Sequence, residues 1–259
     1  MPVIKENKQV ASDYYYMKIK APEICNTGNP GQFVHVKLSQ NNSINDPLLR
    51  RPFSFHDINK NTGNFSLVYE IVGKGTKLLT EFEAGDNINI LGPLGQGFNL
   101  NFKSSQILII GGGMGIVPLY YLTKKLEENN DITVILGGNS ETNINYFIQT
   151  FNKLNVNTKI ATMDGSRGFE GNVIDLWNNF KNKSEFDFIY SCGPTPMLNA
   201  VQRQAQTLNI SGQVSLEERM GCGFGVCLSC VCQTTAGNQR VCKEGPVFSL
   251  DEVIFDDSK

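Results

Sequence analysis

Seven cysteines occur in this chain, and four of them fall as Cys222-x4-Cys227-x2-Cys230 followed by Cys242 after eleven intervening residues. This is the plant-type ligand spacing of a two-iron, two-sulfur cluster: thiolates from one short loop converge on a small inorganic core, and a fourth arrives from a later segment. Four thiolates also suit tetrahedral zinc, so the spacing alone leaves the metal open. A disulfide framework is the weaker alternative, because an odd total leaves one cysteine over. Glycines at Gly221, Gly223 and Gly225 suit a loop that wraps tightly and turns backbone N–H groups towards sulfur. The chemistry indicated is electron transfer.

Three further stretches have the composition of cofactor contacts. Gly111-Gly-Gly-Met-Gly115-Ile-Val-Pro118 does not satisfy G-x-G-x-x-G, since Ile116 stands at the third glycine, but it reads as G-x-G-x-x-P through Gly113, Gly115 and Pro118. After a strand and before a helix, such a turn lets a pyrophosphate approach bare backbone N–H groups; otherwise it is a tight strand–helix turn. Arg51-Pro52-Phe53-Ser54 combines a planar guanidinium fork with a ring that can pack on a flat cofactor and a hydroxyl. Some twenty residues on, Val68-Tyr69-Glu70 precedes Gly73-Lys74-Gly75-Thr76, a second glycine-and-hydroxyl cradle; the bland reading of Lys74 is a solvated turn lysine.

The elements that must position these residues divide the chain into three: 1–102, 103–210 and 211–259. In the first, Val34, Val36 and Leu38 alternate with His35 and Lys37, and Phe65, Leu67 and Tyr69 with Ser66, Val68 and Glu70. Period-two alternation predicts half-buried antiparallel strands, with a small β-barrel as the closure that leaves no free edges. In the second, the apolar run Gln106–Ile110 predicts a strand covered on both faces. A helix over Val117–Glu128 follows, then a strand at 132–136, a helix at 144–154, and strands at 158–162 and 186–190. Alternating strands and helices imply a doubly wound parallel sheet. The cysteine-rich third part is too small to bury a core of its own.

Hydrophobic content of 40%, charged content of 19% and a net charge of −2 describe an ordinary globular protein. They give no broad attraction to nucleic acid or an anionic membrane. The opening residues do not read as a signal peptide, no run approaches a membrane span, and five cysteines clustered within 222–242 fit reduced thiols in a cytoplasmic setting. Cys232, Cys25, His35 and His56 are read as structural, and Glu217 and Glu218 as a solvated face. Cys192 is either a buried strand-end residue or a neighbour of a nicotinamide. Gly138-Asn-Ser-Glu-Thr142, where a ribose contact is expected, contains no arginine, which favours NAD over NADP.

The order R-P-x-S, G-x-G-T, G-x-G-x-x-P and C-G-P resembles the ferredoxin–NADP reductase superfamily. The tail from Glu218 to Cys230, with Val241–Phe248, resembles the electron-transfer subunits of NAD-dependent (class 1B) dihydroorotate dehydrogenases along essentially the whole chain. That resemblance implies FAD at Arg51, Pro52, Phe53, Ser54, Val68, Tyr69, Glu70, Gly75 and Thr76. It implies a [2Fe–2S] cluster on Cys222, Cys227, Cys230 and Cys242. The nicotinamide nucleotide would lie at Gly113, Gly115, Pro118, Cys192, Gly193 and Pro194. It also implies an FMN-containing, PyrD-type catalytic partner in a two-plus-two heterotetramer. The small subunit of an NADH-dependent ferredoxin:NADP or sulfide-dehydrogenase-type complex is the alternative, although such tails often replace one cysteine by aspartate. A zinc-stabilised adaptor with a vestigial nucleotide domain is the reading from another class, and it would be colourless.

Overall fold

A computed structural model describes residues 1–38 and 46–255. In chain order, its first half holds β1 (Val3–Gln9), β2 (Tyr14–Lys20), the short α1 (Pro22–Thr27), β3 (Phe33–Val36), β4 (Arg51–Ser54), β5 (Asp57–Asn59), β6 (Asn64–Glu70), α2 (Lys74–Leu79) and β7 (Ile90–Leu94). The strands pair antiparallel as a four-stranded sheet, β1-β2-β6-β5, and a three-stranded sheet, β4-β3-β7. One seam is the direct passage from β4 into β5; at the other, a bridge joins Val3 to Asn87. The two sheets wrap one core containing Ile4, Met17, Val34, Val36, Phe55, Phe65 and Leu67. This is the small barrel, drawn as two sheets.

The period-two expectation fails informatively in two strands. Phe65–Tyr69 of β6 are all buried, including Ser66 and Val68. Leu67 and Tyr69 enter the barrel core while Val68 joins the core of the other half. All four residues of β3 are buried, His35 completely. Each outward face meets a second layer of protein, so alternation no longer marks solvent.

The second half runs β8 (Gln106–Gly112), a 3-10 turn (Gly113–Gly115), α3 (Ile116–Leu126), β9 (Asp131–Gly138), α4 (Glu141–Phe151), β10 (Asn157–Thr162), β11 (Phe169–Glu170), α5 (Val173–Asn178), β12 (Phe188–Cys192), α6 (Thr195–Leu208) and β13 (Gly212–Ser215). The tail adds β14 (Val231–Thr234), β15 (Gly237–Arg240) and β16 (Val247–Ser249). The main sheet has the order β11-β10-β9-β8-β12-β13-β16 and is parallel except where β16 closes it antiparallel to β13. Ile107 and Ile109 face one core and Leu108 and Ile110 the other, all with no solvent exposure, which explains the unbroken apolar run. Burying each such side chain contributes about 1.5–3 kcal/mol. The predicted strand at 186–190 begins later, at Phe188, because the Asp187 carboxylate accepts the Gln106 N–H at 2.7 Å and starts the pairing with β8.

Because β8 lies between β9 and β12, the connections leave it in opposite directions and open a crevice at the strands' C-terminal ends. The tail solves its size problem by lending β13 and β16 to this sheet, keeping only the β14–β15 hairpin to itself. Among the described residues, no helix is long and apolar enough to cross a membrane.

Candidate functional site

A cavity of about 830 Å³ opens between the barrel and the main sheet. Its wall contains Arg51, Pro52, Phe53 and Ser54 from β4, Val68, Tyr69 and Glu70 from β6, and Gly75 and Thr76 from α2. Residues from three separate elements, singled out by type alone, thus share one concave surface. Phe53 packs edge-on against Tyr69 at 5.9 Å between ring centroids. Tyr69 also stacks on Tyr15 and donates its hydroxyl to the Asn7 amide oxygen, so its ring is committed to the barrel core. The Arg51 guanidinium donates to the Leu49 carbonyl at 2.8 Å, bracing its fork at the rim. Gly73-Lys74-Gly75-Thr76 is a helix start rather than a free loop. The Thr76 hydroxyl oxygen accepts the Val72 and Gly73 N–H groups, and a Cβ on Gly75 would fall 2.4 Å from the Leu38 side chain.

The nucleotide-side residues meet at the crevice. Cys192 pairs in register with Gly111, so the turn after β8 abuts the turn after β12. A Cβ on Gly115 would lie 2.4 Å from the Cys192 carbonyl oxygen and 2.5 Å from Gly193 Cα, whereas one on Gly113, at φ +56°, would meet nothing within 4 Å. Gly115 therefore permits close packing, and Gly113 supplies the left-handed turn. Pro118 is buried in the first turn of α3, whose N-terminus has no side-chain cap; Pro194 stands just before α6. These residues lie beside the cavity, and Met114 and Val117 of the same turn line it, so the two regions are continuous. Burial pushes the Cys192 thiol well above its ordinary range. A separate depression lined by Ser104, Gln106, Asn129 and Asn157 lies at the opposite end of the strands, away from these motifs.

The four cysteines form two pairs. The Cys222 N–H points at Cys227 Sγ (3.3 Å), and the Val226 and Cys227 N–H groups point at Cys222 Sγ (3.3 and 3.5 Å). The Cys242 N–H points at Cys230 Sγ (3.4 Å). Gly223 and Gly225 take φ values of +82° and +89°. The Arg240 guanidinium donates to the Gly225 carbonyl at 2.7 Å while paired with the Glu244 carboxylate, tying the loop to the hairpin. The Ser229 hydroxyl, 3.2 Å from Cys227 Sγ, and the Cys222 N–H hold the exposed Cys227 thiol down to about 6. Burial pulls the Cys222 thiol up, but the N–H groups of Cys227, Phe224 and Val226 outweigh it and hold it below its usual value. Burial, with the Cys230 thiol beside it, pushes Cys242 up to about 12.

This donor set fits a binuclear cluster, with two thiolates for each iron and N–H groups directed at sulfur. Among the described residues, no group of three or more His, Cys, Asp or Glu side chains is gathered at a single metal position. All seven cysteines are free of disulfides. Cys232 is half-buried on β14, and burial pushes its thiol up to about 11.

The structure adds three contacts around these segments. Glu217 and Glu218 line the cavity, with Ser215, Leu216, Arg219 and Met220. Both are exposed, as expected of a solvated face, while nearby protein partly desolvates the Glu217 carboxyl and raises it above the usual range. The available signal was that this segment follows β13, at the ligand-binding end of a parallel sheet. His35 touches the cluster loop, with Nδ1 3.2 Å from the Cys222 carbonyl oxygen. Arg167, from the loop after β10, reaches Glu141 at 3.7 Å, beside the Gly138–Thr142 segment.

Residues 217–254 match the family described as the iron–sulfur cluster binding domain of dihydroorotate dehydrogenase B. Over nearly their full lengths, curated relatives named dihydroorotate dehydrogenase B (NAD(+)), electron transfer subunit align with the chain. The Desulforamulus reducens protein is 39% identical over 95% of both chains, and the Fusobacterium nucleatum protein 37% identical over 96% of both. The chain belongs to that electron-transfer subunit family. Among solved structures, an NADH-dependent reduced ferredoxin–NADP oxidoreductase superposes with a TM-score of 0.85 and 28% identity, covering 99% of this chain and 91% of that one. The ferredoxin reductase of carbazole 1,9a-dioxygenase superposes with a TM-score of 0.66 at 18% identity, covering 81% and 65%, a likeness of fold. Family membership agrees with a tail whose thiols are paired for a cluster and a barrel whose cavity faces the nucleotide crevice.

Proposed function

We propose that this chain is the NAD-linked electron-transfer subunit of a dihydroorotate dehydrogenase. It exchanges electrons with an FMN-containing catalytic subunit, in a heterotetramer of two plus two, within de novo pyrimidine (UMP) biosynthesis. The observation that carries this reading is two cysteine pairs in the same fold as an 830 Å³ cavity walled by nine residues of flavin-binding type. The working division is 1–102 for FAD, 103–210 for NAD(H) and 211–259 for the cluster. FAD held there would supply two-electron chemistry with NADH and one-electron chemistry with a [2Fe–2S] cluster on the four cysteines, so the protein need supply no acid or base.

The chain's own contribution is placement. Arg51, Gly75 and Thr76 hold the FAD phosphates. Pro52, Phe53, Ser54 and the Val68–Glu70 strand bound the ring system. Gly113, Gly115, Pro118 and Cys192–Pro194 take the nicotinamide nucleotide where the two turns meet. Cys222 and Cys227 hold one iron, and Cys230 and Cys242 the other. Phe224, Val226 and Leu228 are more than half exposed around Cys227; an apolar surface beside the most open thiol supports contact with the partner there.

The test is anaerobic. The FAD- and iron-loaded chain is mixed with an FMN-containing dihydroorotate dehydrogenase core subunit, NADH and orotate. Dihydroorotate formation that requires this chain supports the proposal; flavin bleaching with orotate untouched refutes the partner. In that event the small subunit of an NADH-dependent ferredoxin:NADP complex becomes the reading, which the 0.85 TM-score favours.

A further inference from the structure

We propose that His35 is a positioning residue for the iron–sulfur cluster: its Nδ1–H, donated to the Cys222 carbonyl, ties the first ligand to the strands that wall the flavin cavity and makes the cluster easier to reduce. The inference rests on the cluster reading above and adds a residue and a sign to it.

His35 lies on β3, opposite Pro52 of β4 on one side and Leu91 of β7 on the other. Pro52 is part of the cavity wall. One residue thus joins the sheet carrying the flavin wall to the backbone of the first cluster ligand, across 187 positions of sequence. The ring has no solvent exposure, so the contact is not a surface accident. A carbonyl oxygen only accepts, so the proton sits on Nδ1 and Nε2 carries a lone pair. Nε2 has no hydrogen-bond partner among the described residues, and a proton there would leave a buried N–H unsatisfied. The ring is therefore held in one tautomer and one orientation.

Gly223 is shaped to this contact. At φ +82° it follows Cys222 directly, and a Cβ there would fall 2.5 Å from His35 Nδ1 and 3.0 Å from Cε1. The glycine between the first two cysteines thus has a second use besides the turn: it lets the ring reach the ligand's carbonyl.

The sign follows from charge. Reducing the cluster adds one negative charge. An Nδ1–H dipole whose positive end faces the Cys222 peptide stabilises that charge, as do the N–H groups aimed at Sγ. Hydrogen bonds and solvent exposure around a cluster set its potential. Removing the donor while preserving ring volume leaves the carbonyl dipole uncompensated, and the potential falls.

The test uses the full chain, loaded anaerobically with FAD and iron–sulfur, as wild type, His35→Phe, His35→Asn and His35→Gln. Asparagine carries its amide N–H near the Nδ1 position; glutamine carries it near Nε2. The readouts are iron and FAD content, the electron paramagnetic resonance spectrum of the reduced cluster, and separate midpoint potentials for cluster and flavin. His35→Phe and His35→Gln should make cluster reduction about tenfold less favourable, 59 mV for a one-electron couple. The flavin potential should stay in place and His35→Asn should remain near wild type. If His35→Phe fails to load, the Asn–Gln comparison decides. A loaded His35→Phe with wild-type potential and spectrum overturns the proposal, as do Asn and Gln variants shifted alike. A wild-type chain that binds FAD but no iron–sulfur cluster overturns the cluster reading, and this inference with it.

Discussion

Gly115→Ala tests whether close packing of two turns makes the nicotinamide site. The backbone there is at φ −63°, ψ −13°, which alanine adopts freely, so the substitution introduces no backbone strain. Its Cβ would stand 2.4 Å from the Cys192 carbonyl oxygen and 2.5 Å from Gly193 Cα. Both obstacles are backbone, so no side chain can swing aside, and the turns after β8 and β12 must part by about 1 Å to restore van der Waals contact. Overpacking of this kind costs about 1–3 kcal/mol. For a chain of this size that lowers Tm by roughly 2–12 °C, at about 2–4 °C per kcal/mol. A displacement of that size at a binding site can cost about 10²-fold in rate. Flavin bleaching at subsaturating NADH, followed by stopped flow, should therefore slow about 10–100-fold, with FAD and iron content unchanged. Gly85→Ala is the control: it lies outside the sites, its Cβ meets nothing, but φ +102° strains a non-glycine residue by about 1–3 kcal/mol. It should lower Tm comparably and slow NADH oxidation much less. Wild-type NADH kinetics in Gly115→Ala would refute the reasoning, as would equal impairment in Gly85→Ala.

Three further outcomes are expected. Cys227→Ser should abolish the cluster's visible absorbance and transfer to the partner while NADH still bleaches the flavin; loss of bleaching in a folded, FAD-replete variant would contradict the order of transfer. His56 is buried against Tyr120, with ring centroids 4.6 Å apart, and burial lowers its imidazole to about 4. From pH 6.5 down to about 4 the unfolded chain binds the extra proton, so stability rises with pH across that window and falls on acidification by an amount on the order of 3 kcal/mol. Urea midpoints at pH 7 and pH 4.5 should converge in His56→Phe relative to wild type. Glu141→Gln should free Arg167 for a 2′-phosphate and tighten NADPH binding about tenfold, a gain that Glu141→Gln/Arg167→Gln should lose in nucleotide titrations of flavin fluorescence.

The local chemistry was legible in the chain because it is carried by type and spacing. Cysteine gaps of four and two, glycines where φ must be positive, and an apolar run at β8 each have a short-range cause. The strands and helices from β8 to β10, and β12, followed from run length and periodicity within a few residues at each end, whereas α5, α6 and the short edge strands were not read. Other features depended on which surfaces meet. His35 looked like the polar face of an alternating strand until the cluster loop covered it. Val68 and Ser66 were buried by a second layer that no pattern within β6 announces. Glu217 is solvent-exposed as its type suggests, but that the end of β13 also brings it to the cavity wall is not visible in its own segment. The apparent absence of an arginine near Ser140 was a statement about five consecutive residues; folding the loop after β10 onto α4 brings Arg167 there from 27 positions beyond Ser140. Sequence by itself determined which groups could ligate, turn or stack, because those properties belong to single residues and their immediate spacing. Only the tertiary structure decided the pairing of the four thiols, the joining of nine wall residues into one cavity, and the bond between His35 and Cys222, because each depends on distances between segments far apart along the chain.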